Sequence, residues 1–403
     1  MRDDRFPNLL SRRDVLRTGM VGLGATLLGP LGAPPARAAA KERILVVVEL
    51  SGGNDGLNTV VPYGDDAYYR LRPELGILPS QLRKIDLHFG FSEGMAGFER
   101  LYQDGRLAIV HGCGYPQPSF SHFTSMAYWH TAAPNSGEAY GWLGRLADAM
   151  RPEGSSDYIV NIDRSQSLAV RSRNHTPLVF DDPNRLVRKG FHSERGLLGY
   201  LPDSSSANGA RRYLQDIARG ARASAQAVRE AWNAYRTPVD YGLAPLDLPK
   251  VAALIAAGMS TRLYYTAFRN NAFDTHVHQS NLHARLLTYA SDAITAFIYD
   301  LERIGRASDV AILIFSEFGR RAPENTSLGT DHGAAGLMFV AGYGVRGGHH
   351  GVPPSLTELD HGDNLIFTTD FRRVYASVVE GWLGYSKTAE LLNGEFEPLE
   401  LFA

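Results

Sequence analysis

The sequence predicts an α/β fold in which a mostly parallel central sheet is flanked by helices on both faces. Short apolar runs such as Arg43–Leu50 and Val310–Phe315 lack alternation, which indicates strands buried on both faces, as in a parallel sheet. The apolar residues of Leu282–Ile304 recur on one helical face, and this helix leads directly into the second of those strands. Such a crossover predicts parallel pairing.

The first segment, residues 1–39, has the layout of an export signal. Paired arginines, Arg12 and Arg13, precede the weakly apolar stretch Met20–Leu31, and Ala36-Arg37-Ala38 supplies a small-x-small cleavage site. The pair resembles a twin-arginine signal, which predicts the twin-arginine export machinery as a partner. The apolar stretch is shorter than the roughly 20 residues of a spanning helix. We therefore expect no stable membrane insertion and an exported protein, periplasmic or extracellular.

Composition narrows the classes of partner and of metal site. The formal net charge of −2 gives no electrostatic reason to expect nucleic acid as a partner. The single cysteine, Cys113, excludes intrachain disulfides and cysteine-based zinc sites. We expect it to be a buried small residue after a strand.

The mature chain, residues 40–403, is predicted to be one α/β domain with a helical insertion at about 204–248, where the composition shifts to Ala, Arg and Gln. Strands are predicted at Arg43–Leu50, Arg106–His111, Tyr158–Ile162, Pro177–Phe180, Val310–Phe315 and Gly336–Gly342. Helices are predicted at Ala210–Tyr235, Leu254–Asn270, Leu282–Ile304 and Thr369–Leu383.

Polar residues gather at or beside the expected carboxyl ends of strands, where ligands bind in open α/β sheets. The four clusters are Gly52–Asn58, Ser119–His122, Asp274–Gln279 and Glu317–His332. Carboxylates combined with imidazoles suit a divalent metal such as Zn or Mn, and carboxylate-rich sites favour Mg or Ca. The alternative for each cluster is a solvated loop with salt bridges.

A serine beside a histidine just past the strand Arg106–His111 is a candidate nucleophile. Both Ser119 and Ser121 fit this description. The alternative is that either serine caps a helix continuing over Phe123–His130.

Four motifs, LSGGNDGLNTVVPYGDDAYYRLRP, FDTHVHQ, SEFGRR and TDHG, resemble the DUF1501 family of exported bacterial proteins over nearly the whole mature chain. That family is grouped with the alkaline phosphatase–sulfatase superfamily. The resemblance implies an alkaline phosphatase-like fold. It also implies a site built from a first-strand Asp, a Ser or Thr nucleophile, an Asp-x-x-x-His element, an Asp-His pair and a final His.

Carried over residue by residue, the resemblance implies two groups of site residues. The implied metal ligands are Asp55, Asp274, His276 or His278, Glu317 and His332, and the implied nucleophile is Ser119 or Ser121. In an active enzyme we expect Arg320 or Arg321 to bind the phosphate or sulfate group in bidentate fashion, and Asn58, beyond the end of the first strand, to bind substrate. Phe318 stands where the superfamily has a histidine, and phenylalanine cannot bind a metal, so we expect one metal ion.

These patterns predict an exported metal-dependent hydrolase of phosphate or sulfate esters, with a small anionic ester or a polysaccharide-type substrate. The alternative is a non-catalytic envelope or binding protein that keeps the fold with a degenerate metal site, because a fold alone does not determine function. The metal content of protein folded in vivo would separate the two.

Overall fold

A mixed sheet of nine strands forms the centre of the part of the chain that the computed structural model describes, residues 43–155, 157–186 and 209–403. The strands of those residues are β1 (Ile44–Leu50), β2 (Val60–Val61), β3 (Leu82–Lys84), β4 (Gly90–Ser92), β5 (Leu107–Gly114), β6 (Ile159–Ile162), β7 (Leu178–Phe180), β8 (Leu263–Phe268), β9 (Val310–Phe315), β10 (Gly319–Arg320), β11 (His332–Gly333), β12 (Gly336–Ala341), β13 (Gly348–His350) and β14 (Thr369–Asp370). The order in the main sheet is β13-β5-β12-β9-β1-β8-β6-β7, and β14 also pairs with β5.

Only β12 runs against the other strands of the main sheet, since it pairs antiparallel with both β5 and β9 and every other pairing is parallel. The four strands predicted to share a sheet, which are β1, β5, β9 and β12, do so. Two small sheets complete the strands, β2-β4-β3 and β10-β11.

Helices cover both faces of the main sheet. They are α1 (Asp66–Leu71), α2 (Ala96–Gln103), α3 (His122–Thr131), α4 (Trp142–Met150), α5 (Gly209–Ala234), α6 (Leu248–Ala256), α7 (Gln279–Arg303), α8 (Phe371–Ser377, followed by a π-helical turn, Val378–Trp382) and α9 (Thr388–Leu392). Val46 and Val48 of β1 belong to one core with α2, α6 and α7, and Leu45 and Val47 to another with α3, α4 and α8. Both faces are buried, which explains the absence of alternation and confirms the predicted fold class.

The segment Leu254–Asn270 was predicted to be a helix, and this prediction is wrong. The helix α6 ends at Ala256, Gly258 adopts a left-handed φ of +71°, and β8 then pairs with β1 along its length. A short apolar run fits a buried helix or a buried strand equally well. The left-handed glycine and the aromatic and β-branched residues of Leu263–Phe268 favour the break and the strand.

The predicted signal, residues 1–39, lies outside the described residues, as does the beginning of the predicted insertion at about 204–248. Within that stretch α5 buries Val228 and Ala231 in the core. That it is an insertion stays a prediction. In the described part of the chain, no helix combines the length and apolar character needed to cross a bilayer.

The topology brings the polar loops to one edge of the sheet. Because β8 and β9 both run parallel to β1, and Leu50 lies opposite Phe268 and Glu49 opposite Phe315, these three strands end together. The antiparallel β12 connects β9 to β5, so β5 also points the same way. The loops that follow these strands therefore start from a common edge.

Candidate metal centre

Three potential metal-binding atoms of Asp274, His276 and His332 lie close together at this edge. The Oδ1 of Asp274 is 3.0 Å from the Nε2 of His276 and 3.0 Å from the Nε2 of His332. The two ring nitrogens are 2.9 Å apart. Ligands held at roughly 2.0–2.1 Å in a tetrahedral zinc site are about 3.3 Å from one another. The three atoms thus have nearly the spacing of ligands to one small cation.

The first helical residue of α3, His122, brings a fourth atom to this centre. Its Nε2 lies 3.3 Å from the Oδ2 of Asp274 and is buried without a hydrogen-bond partner among the described residues. The candidate ligand atoms of His122, Asp274 and His332 all lie within 4.8 Å of one another. The donor set, imidazole nitrogens around one carboxylate, therefore fits a divalent metal such as zinc.

The other ring nitrogen of each histidine, Nδ1, faces a fixed oxygen. The pairs are His122 with Glu317 Oε1 at 2.8 Å, His332 with the carbonyl of Phe120 at 2.7 Å, and His276 with Asp331 Oδ1 at 3.3 Å. A carbonyl or a carboxylate can only accept a hydrogen bond, so a proton on each Nδ1 would match these oxygens. In that tautomer the Nε2 lone pairs would face the centre, which is the usual arrangement of metal-binding histidines.

Two groups at the centre, Asp274 and His332, are held in the protonation states that a metal ion needs of its ligands. Partial burial alone would raise the pKa of Asp274, but its contacts with His332 and Arg320 outweigh burial and hold that pKa at about 2. Burial lowers the pKa of His332, which keeps the ring neutral. The hydrogen bond with Glu317 raises the pKa of His122, so a proton and a metal ion compete for its Nε2.

The carboxylate of Glu317, predicted as a ligand, lies instead behind His122 with its oxygens already used. The backbone N–H of Gly52 donates to both oxygens, at 2.9 and 3.0 Å, and that of Gly53 donates to one at 3.2 Å. This approach needs glycine: Gly52 has a φ of +120°, and a Cβ there would lie 2.5 Å from the backbone N of Asp274. Glu317 orients His122 and does not join the candidate ligands.

Arg320, predicted as a substrate clamp, is buried and internally bonded. Its Nε donates to the carbonyl of Gly53 and its Nη1 to that of Thr330, both at 2.7 Å. Its Nη2 lies 2.6 Å from the carbonyl of Gly52, 2.9 Å from that of Phe273 and 3.0 Å from Asp274 Oδ1. Arg320 is 1% exposed and each of its three nitrogens already bonds to a group of the protein, so it holds the loops of the site together and does not face a substrate.

Asp55 and Asn58, predicted to bind metal and substrate, belong to a buried network around Arg72. The Oδ2 of Asp55 lies 2.6 Å from Arg72 Nη1 and 2.5 Å from Gln279 Nε2. The amide oxygen of Asn58 accepts from Arg72 at 2.7 Å and from Tyr68 at 2.9 Å. Asp55 therefore neutralises a buried guanidinium, which is a structural role.

The two histidines proposed as alternatives separate clearly. His276 contacts Asp274 and His332, whereas His278 is exposed in a left-handed conformation, φ 45°, immediately before α7.

The ring of Phe318 packs against His332, at 4.3 Å between centroids, and against His122, at 5.0 Å. An apolar ring thus closes one side of the centre.

The serine candidates also differ. Ser119 Oγ accepts the backbone N–H of Ser121 at 3.3 Å. Ser121 is exposed at the N-cap of α3 and makes no capping hydrogen bond with its side chain. It stands between Phe120 and His122, both of which contact the centre. Of the two predicted serines, Ser121 is the one whose side chain is exposed and which directly precedes a candidate ligand, His122.

His122 and Asp331 were not among the predicted site residues. The segment Ser119–His122 was one of the four predicted polar clusters, but only its serines were predicted to be functional. The signal that could have found His122 is its position in the first turn of a helix that follows a buried strand. Asp331 directly precedes His332, a predicted ligand, so the Asp-His pair could have been predicted to act together.

Residues 42–358 match the family described as protein of unknown function (DUF1501). The chain belongs to the DUF1501 family. This confirms the resemblance carried by the motifs. Among curated proteins, none matches the chain.

Solved structures include remote likenesses to this DUF1501 protein. One is a protein of the alkaline phosphatase superfamily from Vibrio parahaemolyticus, with 10% identity, a TM-score of 0.39, and coverage of 86% of this chain and 70% of that chain. Lipoteichoic acid synthase LtaP from Listeria monocytogenes has 11% identity and a TM-score of 0.38, covering 82% and 76%. The C-terminal periplasmic domain of EcEptC from Escherichia coli, in complex with zinc, has 10% identity and a TM-score of 0.36, covering 74% and 72%.

Proposed function

We propose that this protein is an exported hydrolase of phosphate or sulfate esters that uses one divalent metal ion. The observation that carries the proposal is the convergence of three Nε2 atoms, from His122, His276 and His332, on the carboxylate of Asp274. One carboxylate and three imidazole nitrogens converging on one point are a donor set that suits a divalent cation such as zinc. When bound, the cation would neutralise ester oxygens and lower the pKa of an attacking hydroxyl.

Ser121 is the proposed nucleophile. Its hydroxyl is exposed and unbonded at the N-cap of α3, where the helix dipole favours developing negative charge. Attack by the Oγ of Ser121 would form a covalent ester with the phosphoryl or sulfuryl group and expel the alcohol, and water would then release the acid.

Arg321 is the proposed anion-binding residue, in place of its buried neighbour Arg320. The Nε of Arg321 has no hydrogen-bond partner among the described residues. This nitrogen is buried, and a bound phosphate or sulfate oxygen could supply the acceptor that it lacks. Its backbone N–H donates to the carbonyl of Asp331 at 2.9 Å, so its main chain is tied to the strand pair that bears His332.

A second candidate function is metal or anion binding without hydrolysis. The observation that favours it is Phe318, whose ring packs on His122 and His332 and occupies one side of the centre. A second cation has no ligand on that side, so any chemistry that requires two metal ions is disfavoured.

Elemental analysis of protein purified after export tests the metal centre. We expect about one equivalent of a divalent metal in the wild type, loss in His276→Ala, and retention in His278→Ala, which is a control two residues away. If the wild type holds no metal, even after incubation with Zn, Mn, Mg or Ca, the proposal is overturned.

Hydrolysis of p-nitrophenyl phosphate and p-nitrophenyl sulfate then separates the two functions. We expect Ser121→Ala to abolish turnover while keeping the metal, and Ser119→Ala to retain most activity. Stoichiometric metal with no hydrolysis of any phosphate or sulfate ester would favour the binding function.

A further inference from the structure

Four large apolar side chains that lie in or beside the segments carrying the candidate ligands are exposed. The exposed fractions are 91% for Phe123, 58% for Val277, 38% for Leu328 and 37% for Phe120. Exposed apolar surface that is contiguous and rimmed by polar groups commonly marks a binding site. Isolated exposed apolar residues would need no explanation, so the position of these four matters.

Two of the four side chains flank the proposed nucleophile, Ser121, in the sequence. Phe120 and Phe123 lie on either side of Ser121 and His122, in the loop and first turn of α3. The carbonyl of Phe120 accepts from His332 at 2.7 Å. The aromatic rings therefore belong to the same turn that carries the proposed attacking hydroxyl.

The other two side chains flank the histidine loop. Val277 follows His276 directly. The backbone of Leu328 accepts the N–H of Gln279 at 2.8 Å, and that of Ser327 accepts the N–H of His278 at 3.0 Å. The segment bearing Leu328 thus runs along the segment bearing Val277. The exposed apolar side chains therefore lie in or beside two segments, the one that carries His122 and the one that carries His276.

We propose that the substrate is an amphipathic ester, whose anionic group meets the metal centre and whose alkyl chain lies on Phe123 and Val277. This inference rests on the proposed function and names its substrate class. A charged centre surrounded by apolar side chains matches a ligand with a small charged head and an apolar body. A simple sugar ester or a short soluble ester would leave these side chains in water.

Binding of non-hydrolysable alkylphosphonates tests the inference without relying on turnover. Calorimetry on zinc-loaded protein compares methylphosphonate with hexylphosphonate, which share the head group. We expect hexylphosphonate to bind at least about tenfold more tightly, because part of its chain leaves water. In the double variant Phe123→Ser/Val277→Ser this preference should fall to about threefold or less, with affinity for methylphosphonate and zinc content unchanged.

Leu243→Ser is the matched control. Leu243 is 84% exposed, but its neighbour Gly242 packs on Asp292 of α7. Asp292 lies 13 residues beyond the start of that helix, which is about 20 Å at 1.5 Å per residue. This variant should keep the preference of the wild type.

The possible outcomes separate the inference from the proposed function. A chain-length preference that the double variant loses, in protein that hydrolyses no ester, would support the inference and overturn the hydrolase. Equal affinity for the two phosphonates, or no binding of either, overturns the inference. A double variant that keeps the preference but no longer binds phosphatidylglycerol vesicles also overturns it, and would assign the patch to a lipid surface.

Discussion

A single carboxylate, that of Glu317, joins His122 to the glycine turn after β1. Its Oε1 lies 2.8 Å from the Nδ1 of His122, and the same group accepts two backbone N–H groups of the turn. Glu317 therefore fixes the position of His122, the candidate ligand on α3, relative to the turn that follows β1. Any change in this carboxylate changes both the orientation of the ring and the shape of the turn.

We predict that Glu317→Gln lowers metal affinity by about 10- to 100-fold, because the amide cannot accept from Gly52, Gly53 and His122 together. Competition with a chromogenic chelator measures the change. Glu99→Gln, which alters a partly exposed salt bridge with Arg83, should leave affinity unchanged. Equal affinity for wild type and Glu317→Gln would show that the carboxylate does not position the ring.

We predict that Gly52→Ala destabilises the fold by roughly 3 kcal/mol or more, through backbone strain and the clash with the backbone of Asp274. Gly105→Ala is the control, since Gly105 has a φ of +71° but no atom within 4 Å of an added Cβ. Its cost should be only about 1 kcal/mol. Urea unfolding measures both. Equal losses would mean that the close approach to Asp274 contributes nothing.

We predict that Asp55→Asn destabilises the protein by about 3–5 kcal/mol, because Arg72 would be left buried without a counter-ion. The double variant Asp55→Asn/Arg72→Met should be less destabilised than the sum of the single variants. A double-mutant cycle in urea measures this coupling. Metal content should stay at the level of the wild type in every folded variant, and its loss in Asp55→Asn would restore Asp55 as a ligand.

Buried His111 should make the fold less stable in acid. Burial, together with His349 at 2.7 Å, lowers the pKa of His111 to about 3. In the unfolded chain the pKa is about 6.5, so between these values only the unfolded state takes the proton, and stability falls as the pH falls. His111→Gln should lose about 2 kcal/mol less than the wild type between pH 7.5 and pH 5 in urea unfolding. The exposed His361→Gln should follow the wild type, and identical pH profiles for all three would contradict the prediction.

Replacing Arg12 and Arg13 by lysine should block export, because both arginines belong to the twin-arginine signal that the sequence predicts. Fractionation of cells followed by immunoblotting measures the exported share. The variant Arg2→Lys/Arg5→Lys, which makes the same charge-conserving substitutions outside the pair, is the control and should be exported. Continued export of the Arg12→Lys/Arg13→Lys variant through the same route would refute the signal.

The sheet was predictable because its strands, buried on both faces, carry consecutive apolar residues that a half-exposed strand would not tolerate. β8 escaped prediction because the apolar residues on either side of Gly258 were taken as one helix. The sequence does carry signals of the break, namely Gly258 followed by the polar residues Ser260, Thr261 and Arg262. The left-handed conformation of Gly258 and the pairing of β8 with β1 establish it.

The site was predictable as a set of loops more than as a set of residues. The segments bearing Asp274, His276 and His332 were expected at one edge of the sheet, and the structure places these three side chains together. That they bind metal stays a prediction. The charges of Asp55 and Arg320 suggest functional residues in the sequence. In the structure both side chains are buried and bonded to other groups of the protein. Burial and pairing of a charge depend on distant segments, which a local motif does not encode.

The hydrogen bonds that Arg320 makes to the loops of the site should affect how the centre takes up an ion. Its guanidinium reaches four carbonyl groups and Asp274, more acceptors than the three donors of a lysine could serve in fixed directions. The loops are consequently fixed before any ion arrives, and little conformational entropy remains to be lost on binding. Stripping the metal with a chelator should leave the circular dichroism spectrum unchanged, and reloading should be fast because no folding step precedes it.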